Sequence, residues 1–490
     1  MSDRPGHATG RTARLVVASN RGPLSFTESD GGTLQASRGG GGLVSGLSSL
    51  GGGASSGDIV WVCAALTDGD RTAARRAPGG RLERDGHDTA GTAVRMLDID
   101  PATFHRAYNA IANSTLWFVH HLLYATPTSP AFDAGFRREW ASYEAYNQAF
   151  ADAIAEEAAP GSKVLVQDYH LTLVPRLLRD LRPDLRIGHF SHTPWAPADY
   201  FRVLPADVAR ETLLGMLGAD HTGFHSPRWA RAFAACCAEV LGAETTDGTS
   251  VTYEGHTTVL GVHPLGVDRE ALRERGHEED VESRVTALRL RLEDRRAIVR
   301  VDRTELSKNI GRGLLAYREL LRRYPQWKGK VTHLASAYPS RHDLPEYREY
   351  TAAVQRLATE IEDEFGTDDW RPIVLDVTDD YPRSLALYRV GDVLLVNPVR
   401  DGMNLVAKEM PVLSDNGCAV VLSTEAGAAD EFGDDALLVN PFDISGTADA
   451  LHEALSMSEG ERRARCLRLA DISAAAPPAR WLADQLAALD

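Results

Sequence analysis

Short apolar runs return along this chain at intervals filled by longer amphipathic stretches, and the alternation sets the first expectation. Residues 15–19, 59–63, 163–167, 187–192, 258–262, 297–301, 330–335, 372–375, 393–397, 419–423 and 436–439 read as strands. Residues 136–158, 171–181, 227–241, 310–324, Pro345–Phe365 and 381–389 carry apolar positions at helical spacing and read as helices. Strands alternating with helices imply parallel sheets of the α/β class. A boundary falls at His263-Pro264-Leu265-Gly266-Val267, after which a charged helical region, 269–296, opens a second alternating series. The fold expected is α/β with two Rossmann-like domains, 13–265 and 266–470, whose parallel sheets face across a cleft. Residues 1–12 read as a disordered tail. Residues 471–490 carry a last helix with Trp481, which is expected to cross back to the first domain.

Bulk properties narrow the function. At 490 residues the chain exceeds what one hydrophobic core usually supports, in agreement with two domains. Its 43% hydrophobic and 25% charged content is that of an ordinary globular protein. A net charge of −16 argues against nucleic acid or an anionic membrane as partner, and obliges any anionic substrate to find a local pocket of Arg and Lys. The cysteines (Cys63, Cys236, Cys237, Cys418, Cys466) show no CxxC spacing, which points to a reducing cytoplasm and no structural zinc. Cys236 and Cys237 read as helix packing. No signal-peptide core opens the chain, and no window approaches the roughly 18 apolar residues of a membrane span. A homo-oligomer stays open.

Candidate chemistry gathers where strands end. The run Val393–Val396 reads as a buried parallel strand, and a helix is expected from Leu405. Between them lies Arg400-Asp401-Gly402-Met403-Asn404. A carboxylate in such a turn can accept from a polyol, and the amides opening the next helix can hold a phosphate. Arg303 and Lys308 follow the strand at 297–301, Arg341 follows the next strand, and Arg21 follows the first; cations there suit a diphosphate or sugar phosphate, surface solvation being the alternative. Gln167-Asp168-Tyr169-His170 and His192-Thr193-Pro194-Trp195 end two further strands. Asp168 could orient an acceptor hydroxyl and His192 could bond a sugar, against a purely structural role for each. The glycine-dense stretch 38–46 permits close backbone approach to a ligand or serves as a flexible turn; it lacks the dinucleotide fingerprint, and no P-loop occurs. Asp68-Gly69-Asp70 and Asp98-Ile99-Asp100 match a metal-binding DxD pattern, but neither adjoins the cationic edge, so no metal is expected.

Taken in order, Ser19-Asn20-Arg21, Gly41-Gly42-Leu43, Asn113-Ser114-Thr115-Leu116-Trp117, Asp168-Tyr169-His170, His192-Thr193-Pro194, Arg303 with Lys308, Ser340-Arg341 and the stretch 400–409 resemble the trehalose-6-phosphate synthase family, retaining glycosyltransferases of GT-B architecture and family 20. The resemblance covers nearly the whole chain. It implies an acceptor-binding first domain and a nucleotide-sugar-binding second domain. It implies glucose transfer from a nucleoside diphosphate glucose (UDP-glucose by default, GDP- or ADP-glucose open) to glucose 6-phosphate, without cofactor. Arg21, Tyr108, Trp117 and Arg341 would hold the acceptor phosphate, and Asp168 the acceptor sugar. Gly42 and His192 would lie at the donor and reacting centre. Arg303 and Lys308 would bind the donor diphosphate. Asp401 with the amides of Gly402, Met403 and Asn404 would grip the donor glucose, the Leu405 and Val406 amides would meet phosphate, and Glu409 the ribose. Arg303, Lys308, Asp168, His192 and Asp401 form the catalytic set so implied. A sibling transferase using glycerol 3-phosphate or a cyclitol phosphate, and a non-catalytic sugar-phosphate sensor, are the alternatives. The chain departs from the family pattern at Gln167, where His is usual, at Thr304-Glu305-Leu306, and after His192.

Overall fold

The computed structural model describes residues 13–29, 32–39, 58–341 and 344–490. The tail at 1–12, Gly41, Gly42 and Leu43 lie outside the described residues. The chain forms two compact units. One takes the described residues up to His120, Tyr124–His263 and Pro478–Asp490; the other takes His121–Leu123 and Pro264–Pro477.

The first unit holds β1 (Ala13–Ser19), β2 (Leu24–Glu28), β3 (Leu34–Arg38), β4 (Ile59–Ala64), β5 (Ala93–Leu97), β6 (Ala158–Gln167), β7 (Arg186–Ser191), β8 (His221–Phe224), β9 (Glu244–Thr246), β10 (Ser250–Tyr253) and β11 (His256–Val262). Among the described residues β2 and β3 pair only with each other. The rest form a nine-stranded sheet in the order β5-β4-β1-β6-β7-β8-β11-β10-β9 among the described residues. It is parallel from β5 to β11 and turns antiparallel at β10 and β9. The hairpin and β5, β8, β9 and β10 escape the apolar pattern. His221-Thr222-Gly223-Phe224 has no aliphatic run, and Glu244-Thr245-Thr246 is exposed throughout.

The second unit holds β12 (Arg296–Arg303), β13 (Val331–Tyr338), β14 (Ile373–Asp376), β15 (Val393–Val396), β16 (Ala419–Ser423) and β17 (Leu437–Val439), all parallel, in the order β14-β13-β12-β15-β16-β17. Successive strand residues enter opposite cores. Val299, Leu394 and Val420 pack with Leu385 and Met410 on one face, whereas Ile298, Leu395 and Val421 pack with Leu314, Tyr317 and Leu451 on the other. Helices on both faces explain why these strands are apolar in unbroken runs.

The parallel run of each sheet changes direction at one point, between β1 and β6 in the first unit and between β12 and β15 in the second. Connections leave those two strands toward opposite faces, so a crevice opens beyond their carboxyl ends. Arg21 and Asp168 follow β1 and β6, and Arg303, Lys308 and Asp401 follow β12 and β15, while His192 and Arg341 follow the adjoining β7 and β13.

Candidate active site

In the second unit the crevice lies beyond β12 and β15. Lys308 Nζ lies 2.6 Å from Asp401 Oδ2, so the cation that follows β12 meets the carboxylate that follows β15. Asp401 also accepts from Asn404 Nδ2 at 3.2 Å and from the Met403 amide at 3.4 Å. Burial opposes both charges, but each outweighs it for the other: Asp401 is held below its ordinary range and Lys308, helped by Asp302, above its own. Both therefore remain ionised at neutral pH.

The turn itself is firmly seated. Asn404 adopts a positive φ of 77° and caps the helix Leu405–Leu413, its side chain accepting from the Ala407 amide at 3.1 Å. The first amides of a helix have no acceptor within it. With Ala407 taken by the cap, the amides of Leu405 and Val406 are the remaining first-turn donors that the helix itself does not satisfy. Below the turn, the Asp401 amide donates to Glu425 O (3.1 Å), and Gly427 and Ala428 amides return bonds to Asp401 O (3.1 Å) and Met403 O (2.9 Å). A Cβ on Gly427 would stand 2.0 Å from Gly402 O, so the two segments meet backbone to backbone. Glu409, one turn into the helix, is bonded by the Tyr388 hydroxyl; burial pushes its carboxyl up to about 7, against the lowering effect of that bond.

Arg303 is half exposed and pairs through Nη1 with Glu305 Oε1 at 2.8 Å, while Glu305 is fully buried. The same oxygen accepts from Ser340 Oγ at 3.0 Å. Burial favours the neutral acid, but Arg303, Arg341 and Lys308 outweigh it and hold the Glu305 carboxyl down to about 2. Arg341, at φ 51°, donates to the Tyr347 hydroxyl at 2.9 Å. Glu305 thus supplies the anion that the two arginines face. Sequence reasoning passed over it; an acid between two cations in a strand-to-helix loop was the available signal. It also passed over Arg300, fully buried in β12, which bonds Asp302, the Lys308 carbonyl and Asn397 and so ties the 304–309 loop to β15.

In the first unit, Arg21 is exposed beyond β1, its carbonyl accepting from Ser19 Oγ at 2.7 Å. Asp168, beyond β6, has φ 73° and accepts the His192 amide at 3.1 Å on Oδ1. His192, beyond β7, lies 3.0 Å through Nε2 from Gln167 Oε1. Burial, with His189 adding, depresses its imidazole to about 3, so it is neutral at physiological pH. Tyr108 stacks on His170 at 5.6 Å, and Trp117 tilts against Tyr169 at 5.6 Å. Tyr108 lies within Arg106–Leu116, a π-helical stretch that Trp117–His120 continues as α-helix. Wide π turns often mark functional sites, and nothing in the apolar spacing announced this one. Arg21, Tyr108, Trp117, Asp168 and His192 belong to this unit; Arg303, Lys308, Arg341, Asp401–Asn404, Leu405, Val406 and Glu409 belong to the other.

Three carboxylates of the DxD pairs, Asp70, Asp98 and Asp100, make structural bonds. Asp70 is buried and accepts the amides of Phe26, Leu66 and Thr67. Asp98 pairs with Arg75 at 2.6 Å, and Asp100 caps the helix Pro101–His105. All the cysteines are buried, Cys236 and Cys237 among them. Among the described residues no helix is long and apolar enough to cross a membrane.

The family model "glycosyltransferase family 20" matches residues 13–490. The chain is 35% identical over 457 residues to the alpha,alpha-trehalose-phosphate synthase [UDP-forming] of Schizosaccharomyces pombe, covering 92% of this chain and 85% of that protein. It is similar to a solved structure described as trehalose-6-phosphate from E. coli bound with UDP-2-fluoro glucose, at 27% identity and a TM-score of 0.84, over 97% of this chain and 98% of the other. A UDP-forming alpha,alpha-trehalose-phosphate synthase from Burkholderia vietnamiensis matches at 30% identity and a TM-score of 0.81, over 97% of this chain and 99% of the other. The fold is that of the GT-B enzymes, as the strand orders imply. Since the matched region takes in both sheets and every described motif at their carboxyl ends, the chain belongs to glycosyltransferase family 20.

Proposed function

We propose that the protein transfers glucose from UDP-glucose to glucose 6-phosphate, with retention of anomeric configuration, giving α,α-trehalose 6-phosphate and UDP. The observation that carries the reading is the cationic edge of the second unit: Arg303 and Lys308 beyond β12, beside Asp401 and a helix N-terminus beyond β15. As the bond from glucose C1 to phosphate breaks, its electron pair and a negative charge pass to the departing diphosphate. Fixed cations and helix amides stabilise that charge without reorganising, which is usually the largest catalytic contribution. Asp401 and Glu305 are ionised acceptors held by cations and fixed donors. Such carboxylates suit sugar hydroxyls and arginine placement rather than attack on carbon. The acceptor oxygen then bonds C1 on the face the phosphate leaves, and its proton passes to the leaving phosphate oxygen.

In this reading Arg303 and Lys308 hold the diphosphate, Asp401 with the amides of Gly402, Met403 and Asn404 holds the donor glucose, and the Leu405 and Val406 amides meet phosphate. Glu409 takes the ribose. Arg21, Tyr108, Trp117, Asp168 and Arg341 recognise glucose 6-phosphate, and His192 belongs to the reacting centre. No metal is needed, because side-chain cations occupy the role a divalent ion would play. The test is a panel of UDP-, GDP- and ADP-glucose against glucose 6-phosphate and glycerol 3-phosphate, following nucleotide release and product by chromatography. Trehalose 6-phosphate from UDP-glucose is the expected result; turnover only with another acceptor, or none at all, overturns the reading.

A further inference from the structure

Gln167 is the last residue of β6 and is 1% exposed. Its Oε1 lies 3.0 Å from His192 Nε2. An amide oxygen can only accept, so in this pairing His192 carries its proton on Nε2 and keeps a lone pair on Nδ1. The amide's other half, Gln167 Nε2, is buried with no hydrogen-bond partner among the described residues. An unmet buried donor is destabilising, a cost that a leucine of similar size would not carry. Packing therefore does not account for glutamine here, and its acceptor oxygen does.

The rest of the ring is constrained without being told where its proton sits. Its main-chain amide donates to Asp168 Oδ1 at 3.1 Å, and the rings of Phe190, His225 and Trp481 stand 4.8, 5.3 and 5.5 Å away. The titratable groups around it are His189 on its own strand, Asp168 beyond β6 and His225 beyond β8, while the C-terminal helix contributes the indole of Trp481. None of these contacts selects a tautomer.

We propose that Gln167 is a positioning residue that fixes His192 as the Nε2–H tautomer, so that Nδ1 is held as a hydrogen-bond acceptor for a substrate sugar hydroxyl. The inference rests on the reading of His192 as part of the reacting centre. A flipped amide would invert every role, with the proton on Nδ1, so the tautomer reports the pairing directly.

The experiment uses full-length protein labelled with 15N at histidine, with long-range 1H–15N spectra to read the tautomer of His192, assigned by its loss in H192A. Wild type should show the Nε2–H form without protonation down to about pH 5, as burial at this site requires. Q167L should mix the tautomers and lower kcat about 10- to 100-fold, by analogy with losing the outer partner of a metal-bound histidine, with both KM values little changed. Q167E should hold an imidazolium, so kcat gains an acidic limb absent from wild type. Q167H, whose ring nitrogen can accept, should restore most turnover. An Nδ1–H tautomer in wild type overturns the proposal, as does Q167L with wild-type tautomer and kcat. If melting curves show Q167L unfolded, a Q167E pH profile superimposable on wild type's overturns it instead. Unaltered kcat in H192A sinks the reading of His192 itself; a dead H192A with a fully active Q167L sinks only the role of Gln167.

Discussion

Arg303 and Lys308 differ in what surrounds them, and their variants should differ accordingly. Arg303 is 44% exposed, and its partner Glu305 keeps Ser340 as a donor when the guanidinium is removed. Arg303→Ala should lower kcat by about 10²- to 10³-fold, the effect of losing one pre-set donor to a developing anion, and should lower the melting temperature, though Arg341 and Lys308 still face the buried Glu305. Lys308→Ala strands a mostly buried Asp401, so it should lose turnover and also up to about 3–5 kcal/mol of stability, measured by urea unfolding. Glu409 supplies a pH dependence. Burial raises its carboxyl to about 7, so the folded state binds its proton more tightly than the unfolded chain does. Its contribution to stability is thus fully present below the ordinary glutamate range and is lost as pH rises toward and through about 7. Binding a ribose diol needs the ionised form, so donor KM should rise as pH falls below about 7, and Glu409→Gln should abolish that dependence. The identity of these side chains was legible in the sequence. The counter-charges that orient them, Glu305 above all, were not, because only contact shows which cation an acid serves.

At the scale of elements, the strand at 393–396 and the helix after Asn404 were legible, since an apolar run, a turn with Gly and Asn, and a helical continuation each obey a local rule. The segment that seats the turn obeys none. Residues 425–428 clamp it through main-chain bonds, and Gly427 is admitted only because it lacks a Cβ. Gly427→Ala should push Gly402 from its place and cost both stability and donor affinity, by about 1–3 kcal/mol as overpacking does; unfolding and donor KM measured together would check it. Unchanged values would mean that the turn tolerates displacement. The DxD pairs teach the converse. Two local matches to a metal pattern became a buried amide acceptor, a salt bridge and a helix cap once their neighbours were in place.

Over the whole molecule, the last helix, Pro478–Ala487, belongs to the first unit although it follows the second in sequence. Trp481 is 1% exposed and donates from Nε1 to His263 O at 3.1 Å. Trp481→Ala should destabilise the first unit by about 3–5 kcal/mol, the usual cost of removing a buried aromatic, seen as a lower thermal midpoint.

The sequence by itself determined the α/β class, the strands with unbroken apolar runs, and the charged and polar residues that follow them. Those depend on residues near one another in the chain, where periodicity and turn rules act. Only the tertiary structure decided the strand orders, the reversals between β1 and β6 and between β12 and β15, and the pairings Lys308–Asp401, Arg303–Glu305 and His192–Gln167. Each joins residues brought together by packing rather than by local rule, and an ionic or hydrogen-bonding partner is a matter of distance in space that side-chain identity alone leaves undetermined.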